Sequence, residues 1–418
     1  MNKQRNALPL QLGLAALHAY FKEGSPLGPL KVMAKHLGRF FKIPLPMFQP
    51  YVVFGPEENR KVLVTERHKV LWRNPDPVTD VLRRGVLVVD GTEHDCYREL
   101  MEPALHPGRL PGYADMMLAQ TDRVAATWRD GQVVDMLVEG RKIALLIIMN
   151  ALFSVDAWDD LPRIWTPILK TIEYISPGSW IIWRKIPRPD YRNHLRQVED
   201  YLYRIIRDRR ATPAKPDLLQ HLIDAGLDDD RIRDQMLTLL IAGHDTSTAL
   251  LAWTFALLGQ HPEIHSRLVQ EISHMEKPPL LDHVIKESLR LYPPIHLGNR
   301  LAAEEMNFGG RKIPPGGRMF YSIYLTHRDP AIWENADQFC PERFAGGRKT
   351  PPFAYVPFGA GPRACPGSAF GQAEARLVIA RLLRRYSFEF TNADQIRAHM
   401  GATLEPRPGV TAKVQKRS

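Results

Sequence analysis

Residues 353 to 371 read Phe-Ala-Tyr-Val-Pro-Phe-Gly-Ala-Gly-Pro-Arg-Ala-Cys-Pro-Gly-Ser-Ala-Phe-Gly. Gly359 and Gly361 permit a tight turn with positive φ, while Pro366, with its fixed φ and missing N–H, suits the first position of a helix. Cys365 is therefore expected at a helix N-terminus. The helix dipole and the free backbone N–H groups there lower a thiol's pKa, which suits a metal ligand. A cysteine taken at random is a small buried hydrophobe. The glycines, the proline and Arg363 set this one apart.

Upstream, the apolar helical pattern from 231 to 258 is interrupted by Ala242-Gly243-His244-Asp245-Thr246-Ser247-Thr248. A glycine and a run of polar side chains inside an apolar helix cost propensity and desolvation, so a functional kink is expected. The hydroxyls of Thr246 and Ser247 have a plainer alternative, bonding back to carbonyls one turn earlier. Asp245 has none, because a buried carboxylate without a role is expensive. Glu287 and Arg290, three apart, project from one helical face, as do His94 and Arg98, four apart after Gly91. His261 and His265 also stand four apart, a spacing that can bind zinc, but Pro262 and Glu263 make them a histidine pair at a helix start.

Phe358, Gly361, Arg363, Cys365 and Gly367 match, position for position, the Phe-x-x-Gly-x-Arg-x-Cys-x-Gly signature of the cytochrome P-450 family, which the chain resembles from Gly91 to its C-terminus. The resemblance implies haem b as cofactor, with Cys365 as the iron's axial ligand. Phe358 and Gly367 fall at cofactor-binding positions. His94, Arg98, Arg300 and Arg363 become anchors for the propionates, whose buried charge needs neutralising. The stretch around Asp245 and Thr246 resembles the family's oxygen-activating turn, in which an acid and a threonine relay protons. Glu287 and Arg290 resemble its Glu-x-x-Arg element, and Pro341-Glu342-Arg343-Phe344 resembles the loop whose arginine, here Arg343, completes that ion network. Substrate-pocket positions by resemblance are Ala242, Ile295, Leu297, Thr403 and Trp180, the last in an apolar lid from Ile175 to Pro187.

Around these motifs the chain is 418 residues long, 44% hydrophobic and 24% charged, an ordinary globular composition. Tyr51 to Phe54 reads as a strand, and helical periodicity runs through 114–128, 141–153, 192–208 and 231–258. After Pro294 short strands and turns follow, and then one more helix from Pro366 to about Arg385. The expected fold is mainly α with a minor β part, the helical prism of the P-450 fold around a buried haem. Residues 1–418 form one domain, and roughly the first 25 make an N-terminal extension without a transmembrane span.

The net charge of +10 comes from scattered basic residues with no nucleic-acid motif, so no nucleic-acid partner is expected. Three cysteines without CxxC spacing suit a reducing, cytoplasmic setting. The resemblance implies an O2-dependent monooxygenase acting on a lipophilic substrate, a fatty acid, terpenoid or carotenoid. Its electrons would come from a separate ferredoxin or flavodoxin with its reductase. Arg348, Lys349, Arg376, Arg381, Arg384 and Arg385 read equally as a docking face for such an acidic partner and as a solvated basic face. Two other readings stand beside it: a peroxide-driven fatty-acid hydroxylase or decarboxylase on the same fold, whose members lack the acid–threonine pair, and a haem-binding sensor without turnover.

Overall fold

The structure, a computed structural model, describes residues 10–45, 48–72, 77–176, 190–212, 216–346 and 350–417. At its centre lies the helix Asp229–Gln260. The Asp228 side chain caps it by accepting the Arg231 N–H, and Asp229 and Asp230 sit at the positive end of its dipole. From Ile232 to Leu258 every residue is buried except Ala242, Gly243 and Thr246. A helix apolar on all sides belongs in a core, and the spacing of the three exceptions puts them on one face.

The central helix continues through residues 242–248. Gly243 also meets a packing need. A Cβ built there would stand 2.7 Å from Ile148 Cδ1, on the helix Met136–Phe153 that packs along the central one. Helices Arg192–Ala211, Pro279–Leu291 and Ser368–Arg385 also pack against it.

The strand expected at Tyr51 forms over Tyr51–Val53, in a five-stranded sheet ordered Phe40–Lys42, Tyr51–Val53, Arg318–Ser322, Leu297–Ala302 and Val70–Leu71. Early strands are thus completed by strands some 250 residues later: Val52 pairs with Phe320 in parallel, and Arg300 with Met319 antiparallel. In the strand Leu297–Ala302, Arg300 lies on the face with buried Gly298 and Ala302 and Leu297 on the opposite one, and Gly298 lies under the Tyr321 ring, 2.0 Å from where a Cβ would stand. Near the C-terminus, Arg397–Met400 and Leu404–Arg407 form a hairpin against the central helix.

The N-terminal helix Leu10–Glu23 buries Leu12 and brings Ala19 so close to the next helix that a Cβ on Gly28 would meet Ala19 O at 2.6 Å. Leu10, Leu14, Leu17, Tyr20 and Phe21 face outwards. Among the described residues no helix is long and apolar enough to cross a membrane.

Candidate active site

The cysteine loop is built by its glycines. Gly359 and Gly361 both take φ of +69°, and the loop closes through the Cys365 N–H donating to Phe358 O at 2.9 Å and the Ala364 N–H to Gly361 O at 2.9 Å. The helix that follows is Ser368–Arg385, so Pro366 is not its first residue as expected; Pro366 and Gly367 form the turn that leads into it. Substituting Gly361 should be costly, because a Cβ there would lie 2.4 Å from the carbonyl oxygen of Leu63 as well as in left-handed backbone. Gly361→Ala is expected to lose about 1–3 kcal/mol of stability, read from a thermal or denaturant melt. A melt like the wild type's would show that the loop is not held in this conformation.

Cys365 is exposed by surface area, yet burial by surrounding protein pushes its thiol pKa up, against the Gly367 N–H and the charge of Arg98. A side chain both accessible and hemmed in by protein faces a cleft.

Four basic side chains gather near this loop. Arg98 Nη1 donates to Ala364 O at 2.8 Å, one residue from the cysteine. Arg363 Nη2 donates to Asp90 Oδ1 at 2.7 Å and also contacts Val89 O. Arg300 Nη1 donates to Asn299 O at 2.7 Å, and its guanidinium lies 5.2 Å from the Tyr321 ring centroid. His94 Nδ1 is 2.9 Å from Asp95 Oδ1. Burial holds the Arg363 pKa below its usual value; Asp90 opposes this, and repulsion from Arg300 and Arg98 adds to it. Burial likewise lowers His94, with Arg363 and Arg98 contributing. Among the described residues Arg98 and Arg300 bond to backbone carbonyls and to no acid. A thiol beside guanidinium charge without its own counter-ions is a donor set that fits a metal macrocycle carrying carboxylates.

On the central helix, Thr246 Oγ1 donates to Ala242 O at 2.7 Å, the plainer alternative left open by the sequence. Ser247 does not follow it: its hydroxyl donates to Glu374 Oε2 at 2.6 Å, across to the helix Ser368–Arg385. Asp245 is 2% exposed, and its Oδ2 accepts the Thr403 hydroxyl at 2.8 Å. Burial raises the Asp245 pKa to about 6, with the nearby charge of Glu405 adding to the rise.

The sequence profile of the cytochrome P-450 family matches residues 14–412. The chain belongs to this family. Pentalenene oxygenase of Streptomyces avermitilis is 31% identical over 402 residues, 88% of each chain. Cyclooctat-9-en-7-ol 5-monooxygenase of Streptomyces melanosporofaciens is 31% identical over 392 residues, 86% of this chain and 84% of its own. Among solved structures, the retinoic acid bound cyanobacterial CYP120A1 superposes with a TM-score of 0.83 at 26% identity, covering 93% of this chain and 94% of that one. The protein has the P-450 fold and is a P-450 monooxygenase with a haem-iron cofactor.

In this P-450 the ion network expected from the sequence comes together. Glu287 Oε2 accepts from Arg290 Nε and Oε1 from Arg290 Nη2, both at 2.8 Å, and Arg343 Nε donates to Oε1 at 3.1 Å. Arg290 Nη1 also donates to the carbonyls of His327 and Ala336 at 2.7 Å. His327, which sequence reasoning passed over, ties this network to the cysteine loop. Its Nε2 accepts the Val356 N–H at 2.9 Å, leaving Nδ1 to donate to Arg290 O at 3.2 Å.

The basic residues after the cysteine are more occupied than their sequence suggests. Arg376 pairs with Asp282 at 2.6 Å, Arg381 and Arg385 share Asp122, and Arg384 binds the carbonyls of Ile272 and Met275. Arg348, Lys349 and Trp180 lie outside the described residues. His261 and His265 turn to separate rings, Phe339 and Phe390. Of the pocket positions, Ile295 is 40% exposed, Leu297 and Ala242 are half-buried, and Thr403 is buried with its hydroxyl donated to Asp245.

Proposed function

We propose that this P-450 holds haem b through the Cys365 sulfur and hydroxylates a lipophilic, terpenoid-class substrate with O2. Its two electrons would arrive singly from a separate ferredoxin or flavodoxin. The observation that carries the site reading is the guanidinium charge of Arg98 and Arg300, unneutralised by any described acid, beside an accessible cysteine. Together with Arg363 and His94 these side chains would hold the propionates, and Phe358 and Gly367 would pack beside the sulfur. Glu287, Arg290 and Arg343 then keep the loop's surroundings rigid, and residues 1–418 work as one domain. The substrate class is supported by relatives named for pentalenene and cyclooctat-9-en-7-ol and by a structural neighbour bound to retinoic acid, all lipophilic isoprenoid molecules.

The haem, when bound, supplies the oxidising chemistry. The chain supplies position and protons. The part-exposed face of Ala242, Gly243 and Thr246, with Ile295 and Leu297, would orient an apolar substrate in the cleft. Because the Thr246 hydroxyl spends its hydrogen on Ala242 O, its lone pairs are left to accept from the cleft. Asp245, with a pKa raised to about 6, exchanges protons near neutral pH, which suits a proton donor that must reload every cycle.

Two measurements test this reading. A panel of sesquiterpenes and diterpenes should shift the ferric Soret band and yield hydroxylated products with ferredoxin, reductase and O2; a response to fatty acids alone would refute the terpenoid class. Thr246→Ala should keep NADPH consumption but release peroxide in place of product, and undiminished coupling would remove Thr246 from the relay.

A further inference from the structure

The C-terminal hairpin meets the central helix at Asp245. Thr403, 3% exposed, donates its hydroxyl to Asp245 Oδ2 at 2.8 Å, and Oδ1 has no hydrogen-bond partner among the described residues. Two residues on, Glu405, 6% exposed, pairs through Oε1 with Arg141 of the helix Met136–Phe153 and through Oε2 with Arg407 Nη2 at 3.1 Å. Arg141 and Arg407 are both near enough to act on Asp245, but neither bonds to it. A buried acid beside two arginines would ordinarily take one as an ion-pair partner. Here a second acid takes both.

We propose that Glu405 and Thr403 are positioning residues for Asp245: Glu405 withholds Arg141 and Arg407 from it, and Thr403 anchors its charged form, so the hairpin sets the proton affinity of Asp245. Its catalytic meaning rests on Asp245 serving as the relay acid. The other titratable groups around Asp245 are accounted for. His244, its neighbour on the central helix, faces Arg141 and is held neutral by burial, with a pKa lowered to about 3. Glu374, reached through Ser247, is kept protonated by burial, with a pKa raised to about 8. His399 on the hairpin is also lowered by burial and faces Arg407 and Glu405. On the helix Met136–Phe153, Glu139 and Lys142 pair with each other at 2.7 Å.

The two residues act with opposite sign. Neutralising Glu405 removes a like charge and turns Arg141 and Arg407 towards Asp245; both changes favour the ionised form and lower its pKa. Removing the Thr403 hydroxyl takes a hydrogen bond from the ionised form and raises it.

The test is an infrared titration of the protonated-carboxyl band in the holoenzyme, with the Asp245 contribution identified by its loss in Asp245→Asn. Glu405→Gln should move the midpoint down by about one pH unit or more, Thr403→Val should move it up, and Glu405→Asp and Thr403→Ser should restore it. Unmoved midpoints, or shifts of the same sign in both variants, would overturn the proposal. Should the midpoints move as stated while Asp245→Asn leaves coupling intact, the hairpin's hold on Asp245 stands and the relay reading fails.

Discussion

Cys365→His is expected to abolish O2-dependent hydroxylation even where the variant still takes up haem. A thiolate pushes electron density onto the iron and favours O–O cleavage, and an imidazole does so less strongly. The loop is also built around a short side chain, since the Cys365 N–H is fixed on Phe358 O and Gly367 follows within two residues. An imidazole would have to displace that geometry to reach the same point. Cys365→Ala removes the ligand altogether, but Arg98, Arg300 and Arg363 remain to attract carboxylates. That variant should therefore bind haem weakly and lose it on gel filtration. Haem content and product formation, measured side by side, check both outcomes. Product from either variant at the wild-type rate would exclude Cys365 as the ligand.

The second large effect is expected at Glu287. Its side chain is fully buried, and its two oxygens take Arg290, Arg343 and the Cys340 N–H. Glu287→Ala leaves the Arg290 guanidinium, also fully buried, with carbonyl partners and the Trp333 ring but no counter-charge. Breaking a buried pair in this way costs about 3–5 kcal/mol, a large share of the roughly 5–15 kcal/mol that keeps a protein folded. The variant should accumulate mainly as insoluble or haem-free protein, because His327 links this network to Val356 at the base of the cysteine loop. Its melting temperature and haem content measure the effect. A soluble variant with wild-type haem content would show that the network does not support the site.

The parts of the site legible in the sequence are those whose chemistry is local. The loop from Phe358 to Gly367 carries its own turn glycines and its ligand, and the Glu287–Arg290 pair sits on one turn of the helix Pro279–Leu291. The central helix was legible from its apolar run, and its cap at Asp228 places its start. The packing role of Gly243 was not, because a mid-helix glycine does not reveal which side chain approaches it, and only the fold brings Ile148 there. Thr403 and Glu405 were hidden for a different reason. Their partners Asp245 and Arg141 lie 158 and 264 residues away, and a threonine in a turn with a glutamate in the short strand after it carries no local sign of such partners. The five-stranded sheet shows the same limit, since its order depends on late strands pairing with early ones.

The most direct measurement is the absorption spectrum of the reduced, CO-bound wild-type protein produced with ample haem precursor. Sulfur ligation by Cys365 predicts the strongly red-shifted Soret maximum of a thiolate-bound carbonyl haem, lost in Cys365→His. A wild-type spectrum of the imidazole-bound kind under the same conditions, unchanged by that substitution, would contradict the account.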